Sequence, residues 1–269
     1  MPHANLGDVE IHYKTYGSGP PVLGIMGFAL DLRYWAAQVP AIAAGNTFIA
    51  FDNRGVGRSS RHPATSIDQM SDDAVRLLDH LEIEKTIVCG ASMGGAIAQR
   101  VVLDHPDRVS GLILAITFAR PIEYMRRLGE MARRVVNEIG IEAFVEASLL
   151  WMFSPRFFEM GADAIDQIVA SMWAPGAPET PSPEVVGAQL DAIEKHDVLA
   201  ELASVSIPTL VIAGQRDVMV PAFASEEIAA AIPGAEFEMF ETGHGLMIEE
   251  MDRFNARIRA FLDSLAASG

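Results

Sequence analysis

Ser92 stands in the run Gly90-Ala91-Ser92-Met93-Gly94, where glycines lie two positions to either side of a hydroxyl. An apolar stretch, "KTIVCGA", leads into it and a helix-like stretch, "MGGAIAQRVVLDHP", leads away. A serine made to protrude from such a strand-to-helix turn takes a strained backbone, and small neighbours remove the Cβ atoms that would collide. Its hydroxyl is a candidate nucleophile, weak until a base takes the proton. Seven histidines are available: His3, His12, His62, His80, His105, His196 and His244. His12 falls on the polar phase of a strand pattern. His80 and His105 fall on or at the ends of helices, where a solvated histidine is ordinary. His244 lies between Gly243 and Gly245, directly after the last apolar run, "AEFEMFE". Sheet enzymes bind ligands at such strand ends, so His244 is the expected base. A carboxylate should orient its ring. Asp217 follows the apolar run "PTLVIAG" and precedes Pro221; Asp191, Asp197 and Glu241 are alternatives that follow no apolar run so directly. These parts suit acyl transfer: Ser92 attacks a carbonyl, His244 carries the proton, and Asp217 steadies the imidazolium. The N–H of Met93, next after the nucleophile, is an expected oxyanion donor, with a second donor due from the loop after "PVLGIMG".

The elements that must position these groups follow from periodicity. "VEIHYKTYG" alternates in the strand period, with Val9, Ile11, Tyr13 and Thr15 on one face. "PVLGIMG", "NTFIAFD", "KTIVCGA", "VSGLILAI", "PTLVIAG" and "AEFEMFE" are short continuous apolar runs, as strands buried on both faces of a parallel sheet require. Amphipathic stretches lie between them. "SIDQMSDDAVRLLDHL" opens with Ser66 and Gln69 at capping-box spacing, then sets Met70, Ala74, Leu77, Leu78 and Leu81 in a helical stripe. "RFNARIRAFLDSL" predicts a closing amphipathic helix. From about residue 119 to 200 no strand pattern occurs. "YMRRLGEMARRVVNEIG", "IEAFVEASLLWMF" and "MGADAIDQIVASMW" predict helices there, and "APGAPETPSPEV" a loop.

The sequence resembles the α/β-hydrolase superfamily over nearly its whole length. The Ser92 motif, "AGQRDVMVP", "GHGLMIE" and "FDNRGVGRSS" carry the resemblance, and Ser92, Asp217 and His244 stand in the chain order of that fold. It implies a mostly parallel eight-stranded sheet with helices on both faces. Residues 1–118 and 200–269 would form the core and 119–199 a helical cap over the site. It assigns the second oxyanion N–H to Phe28, after a family His-Gly pair that reads Met26-Gly27 here. Asp52, Arg54, Gly55, Gly57 and Ser59 become turn scaffolding. The activity implied is cofactor-independent hydrolysis of esters or lactones. Enol-lactonases, cofactor-free haloperoxidases or perhydrolases, and carbon–carbon hydrolases share the same parts, and a non-catalytic ligand receptor is a further alternative.

Side chains near these groups are soft and apolar. Met26, Trp151, Met152 and Met247 are the expected substrate contacts, within a wider set at Met125, Met131, Leu149, Leu150, Phe153, Phe157, Phe158, Met160, Met172 and Trp173. Arg120, Arg126, Arg127, Arg133 and Arg134 offer a carboxylate contact but suit a solvated helix face better. The net charge of −16 over 269 residues repels phosphate backbones, so nucleic acid is not an expected partner. Cys89 is the sole cysteine, which rules out an internal disulfide or a thiolate cage. No metal or cofactor is called for, and a small ester or lactone is the expected partner. No apolar run approaches the roughly 20 residues that span a bilayer, and the N-terminus lacks a leader pattern. The expectation is a cytoplasmic protein, with a homo-oligomer left open.

Overall fold

The computed structural model describes residues 2–172 and 180–268. Eight strands form one sheet: β1 (His3–Asn5), β2 (Glu10–Tyr16), β3 (Pro21–Ile25), β4 (Thr47–Phe51), β5 (Thr86–Ala91), β6 (Val109–Ala115), β7 (Thr209–Gly214) and β8 (Glu236–Phe240). Their spatial order is β1-β2-β4-β3-β5-β6-β7-β8. β1 and β2 run antiparallel to their neighbours, and the other strands are parallel. From β3 the chain crosses first to β4 on one side and then to β5 on the other, and at such a switch point α/β sheets hold ligands.

The α-helices of the described residues are α1 (Val39–Ala43), α2 (Ile67–His80), α3 (Met93–Asp104), α4 (Glu123–Glu138), α5 (Ile141–Met152), α6 (Pro155–Met172), α7 (Pro183–Lys195), α8 (Ala222–Ala231), α9 (Leu246–Glu249) and α10 (Met251–Ser268). The strand period of two divides the core between the faces. Val88 of β5 joins Met70, Ala74, Val101 and Ile228 from α2, α3 and α8 on one side. Ile87, Cys89 and Ala91 join Ile42, Phe254 and Phe261 from α1 and α10 on the other. Cys89 is fully buried, and desolvation pushes its thiol up to about 12, so it is inert packing.

α2 begins as its cap residues predict: Ser66 Oγ accepts from Gln69 N at 3.1 Å. The reciprocal bond goes elsewhere, because Gln69 Oε1 accepts from Thr65 N at 2.8 Å. Two strand expectations need correction. β8 ends the strand order of the described residues as an edge strand, and Glu236 and Phe237 are exposed. His12 lies on the polar phase of β2 yet is buried, its Nδ1 2.8 Å from Asp52 Oδ2.

The segment between β6 and β7 carries α4 to α7 and no strand among the described residues. α6 kinks at Gly161. The run expected as a Pro-rich loop ends inside α7, where Ser182 Oγ accepts from Val185 N at 3.3 Å and Pro183 takes the first helical position. Trp173 lies outside the described residues.

Candidate active site

β5 delivers the chain to Ser92, and α3 starts at the next residue. Ser92 sits at φ 56° and ψ −124°, a region that side chains other than glycine's rarely enter. The neighbourhood over-determines it. Ser92 N donates to Ala115 O at 2.9 Å, and Ser92 O accepts from Thr117 Oγ1 at 2.6 Å. A Cβ on Gly94 would run into the backbone carbonyl of Ile25, so the turn is closed to larger residues. Met93, as the first residue of α3, has an N–H with no intrahelical acceptor.

His244 and Asp217 meet from separate loops, after β8 and β7. His244 Nδ1 lies 2.6 Å from Asp217 Oδ2. The other carboxylate oxygen accepts from Met219 N and Val220 N, both at 2.8 Å. Both side chains are buried. With Nδ1 turned to a carboxylate, the neutral ring carries its proton there and keeps a lone pair on Nε2. The alternative acids lie elsewhere: Asp191 pairs with Arg133, Glu241 faces Arg216 at 3.8 Å, and Asp197 is exposed.

The helical segment is stitched to the histidine loop. Glu249 Oε1 accepts from Gly243 N at 3.0 Å and Ser154 N at 2.9 Å, while Ser154 Oγ donates to Oε2 at 2.5 Å. Gly245 N donates to Met152 O at 2.6 Å. None of these bonds was legible in the sequence: Ser154 belongs to no motif, and the motif that ends at Glu249 does not say what its carboxylate holds.

The loop after β3 packs directly on Ser92. A Cβ on Gly27 would lie 3.0 Å from Ser92 Cβ, so glycine allows the close approach. Three side chains pin this loop. Asn53 Nδ2 donates to Met26 O at 3.0 Å, Gln189 Oε1 accepts from Ala29 N at 2.9 Å, and Asp52 Oδ1 accepts from Leu32 N at 2.8 Å. Asp52 also accepts from Arg58 N at 2.9 Å. The segment expected as turn scaffolding therefore reaches across to the loop beside the serine.

Ser92 borders two cavities. One, of about 570 Å³ including its mouth, is also lined by His244, Met26, Tyr34, Met152 and Met247. The other, of about 540 Å³, is lined by Phe118, Met125, Phe144, Trp151 and Leu190. Phe28 and Met219 line both. The structure thus brings Met26, Phe28, Trp151, Met152 and Met247 to the serine, in two groups. Burial raises the Tyr34 phenol well above its ordinary range, with Asp31 adding to the effect, so the hydroxyl is a neutral polar group in a wall of carbon. Tyr34 and Phe118 carried no sequence signal beyond their type, and Met219 only its place two residues after Asp217. Leu150 and Met160 of the wider apolar set are exposed, and Leu149 and Phe153 pack together with Ile165.

The arginines of this segment turn to acids outside these cavities. Arg120 pairs with Glu227, Arg126 and Arg127 with Glu123, Arg133 with Asp191, and Arg134 with Glu138. None of the five lines either cavity at Ser92.

His196 marks the return of the helical segment to the core. It is buried edge-on to Phe118, with Nε2 3.3 Å from Gln99 Oε1. Desolvation, aided by the Arg100 charge, lowers its pKa to about 4. The unfolded chain takes up a proton near pH 6.5 that the folded ring refuses until about 4. Its contribution is therefore present above pH 6.5 and lost as pH falls toward 4, by about 3 kcal/mol in all. Denaturant titrations at pH 7 and pH 4.5 should show His196→Gln losing less stability than the parent; an equal loss in both would disprove the assignment.

Topology and site together define a class: a hydrolase-type α/β protein with its serine presented at a strand–helix turn. The chain belongs to the alpha/beta hydrolase fold family, whose sequence model matches residues 20–251. It is 30% identical over 263 residues to RutD of Azorhizobium caulinodans, a protein named for carbamate hydrolysis, with 97% of this chain and 98% of that one covered. Among solved structures, the enol-lactonase of Burkholderia xenovorans superposes with a TM-score of 0.89 at 26% identity, covering 97% of this chain and 100% of that one. A thermophilic esterase from Thermogutta terrifontis gives 0.84 at 30% identity, over 96% and 94%. Among the described residues no helix is long and apolar enough to cross a membrane, and no group of His, Cys, Asp or Glu is arranged to hold a metal ion.

Proposed function

We propose that the chain is a serine hydrolase of neutral carboxylic esters or lactones that carry apolar groups on both sides of the carbonyl. One observation carries the reading: Ser92 stands where two apolar cavities meet, and the first also holds a histidine fixed by a carboxylate at 2.6 Å. His244 Nε2 takes the Ser92 proton as Oγ bonds to the carbonyl carbon. The N–H groups of Phe28 and Met93 receive the negative oxygen. The carbon–oxygen bond to the leaving group then breaks, and the alcohol departs with the proton from His244. A water attacks the acyl-enzyme, gives its proton to His244, and the freed acid leaves Ser92 restored. Residues 119–199 act as a cap whose Trp151 and Met152 shape the two cavities.

The names of the relatives span carbamate, enol-lactone and ester substrates, which share an acyl carbon open to attack. The cavity walls favour the ester branch. His244 and Tyr34 are the only titratable side chains among the described residues lining the two, which leaves no cation for a substrate carboxylate. A fluorophosphonate should label Ser92 stoichiometrically. In an ester panel, each added methylene on either side should raise kcat/KM roughly fourfold until its cavity is full, from about 0.8 kcal/mol per buried CH₂. Absence of label, or faster turnover of acyl chains ending in carboxylate, would overturn the reading.

A further inference from the structure

We infer that Gln189 is a positioning residue for the oxyanion donor, acting from the helical segment on the loop after β3. The inference rests on the serine-hydrolase reading above, which places the Phe28 N–H at the negative oxygen.

Gln189 lies on α7 and is completely buried. Its Oε1 accepts from Ala29 N at 2.9 Å. Ala29 adopts φ 59°, which glycine would take freely and alanine takes only when held there. On the other side of the loop, Asn53 Nδ2 grips Met26 O at 3.0 Å. The Gly27–Phe28 peptide, which owns the donor N–H, hangs between these two anchors. The plane's own carbonyl, Gly27 O, accepts from Leu30 N at 3.3 Å, so with both neighbours anchored as well its N–H is held in one direction before any substrate arrives. That preorganisation is what makes an oxyanion donor effective.

The side chain's own chemistry points the same way. An N–H can only donate, so Gln189 must turn its carbonyl to Ala29. Doing so leaves Gln189 Nε2 buried with no partner among the described residues. An unpaired buried amide is unfavourable, and a plain packing position on α7 would be better served by Leu or Met. Retaining a glutamine there makes sense if the acceptor itself is needed. The neighbouring Leu190 lines the second cavity, so the helix that shapes the substrate space also aims the donor.

The test compares Gln189→Met, which keeps the shape and removes the acceptor, with Gln189→Glu, which keeps the acceptor. Esterase kinetics, inhibition by an alkyl trifluoromethyl ketone and thermal midpoints are measured together, after fluorophosphonate labelling of Ser92 in the parent. Gln189→Met should lower kcat by about 10- to 100-fold with KM within about twofold. The ketone, which adds to the serine as a tetrahedral oxyanion, should weaken by the same factor. Gln189→Glu should recover most of both. Should Gln189→Met fail to fold, Gln189→Asn, one methylene too short to reach Ala29, takes its place. A variant with parent kcat and ketone affinity, or one with only a raised KM and a lowered midpoint, would make Gln189 a mere seat for the helix and overturn the inference. A parent that is not labelled at Ser92 would instead defeat the serine-hydrolase reading.

Discussion

Ser92→Ala is expected to lose ester turnover by a factor on the order of 10⁶ in kcat while the protein stays folded. The fold should survive because the bonds that hold residue 92 are made by its backbone, to Ala115 O and from Thr117 Oγ1. The lost hydroxyl is the atom that must bond to carbon, so no neighbour can substitute. Ser92→Gly should be as inactive and more stable. At φ 56° and ψ −124° a serine carries roughly 1–3 kcal/mol of backbone strain that glycine does not. Loss of activity coupled to a gain in stability is the signature of a residue kept for chemistry. Burst kinetics and denaturant melts of the two variants read both effects; turnover near the parent rate in Ser92→Ala would end the mechanism.

Asp217→Asn should lower kcat by about 10⁴ near neutral pH, and the hydrogen bonds around the residue say why. Met219 N and Val220 N both donate to Oδ1, so an asparagine must place its carbonyl oxygen there. Its NH₂ then faces His244 Nδ1, 2.6 Å from the present oxygen. Two donors cannot share that contact, so Nδ1 becomes the acceptor and the ring proton moves to Nε2. A protonated Nε2 cannot take the serine proton. The imidazole tautomer can be read from ¹⁵N chemical shifts alongside the rate. A loss below tenfold, or an unchanged tautomer, would show that Asp217 does not govern the base.

Most of the sheet was legible because its strands are short apolar runs broken by glycine or aspartate, and the parallel ones read as continuous. β1 was not legible: three residues, His3 to Asn5, hold no period. His12 was misjudged because strand phase predicts which face a side chain takes, and an edge region can still be covered. The groups proposed for chemistry announced themselves through motifs at strand ends, where glycine spacing and chain order carry information. The holding roles of their neighbours did not, even where Asn53 and Glu249 stand inside a quoted motif. Asn53, Gln189 and Glu249 touch backbone atoms 27, 160 and 6 or more residues away, and a side chain-to-backbone bond leaves no trace in its partner's identity. Composition of the helical segment likewise could not sort Met125, which lines a cavity, from Met160, which is exposed.

Glu249 and Ser154 join the histidine loop to the helical segment, and Gln189 joins that segment to the loop beside Ser92. These bonds limit how the protein can be recombined. A chimera that grafts a relative's insertion between β6 and β7 would import new cavity walls, but it would also cut the threads that hold the core's own loops. Such a graft transfers substrate preference only if it brings an acceptor for Ala29 and a hydroxyl and N–H for Glu249. The unit of exchange is therefore the insertion together with its three attachment points.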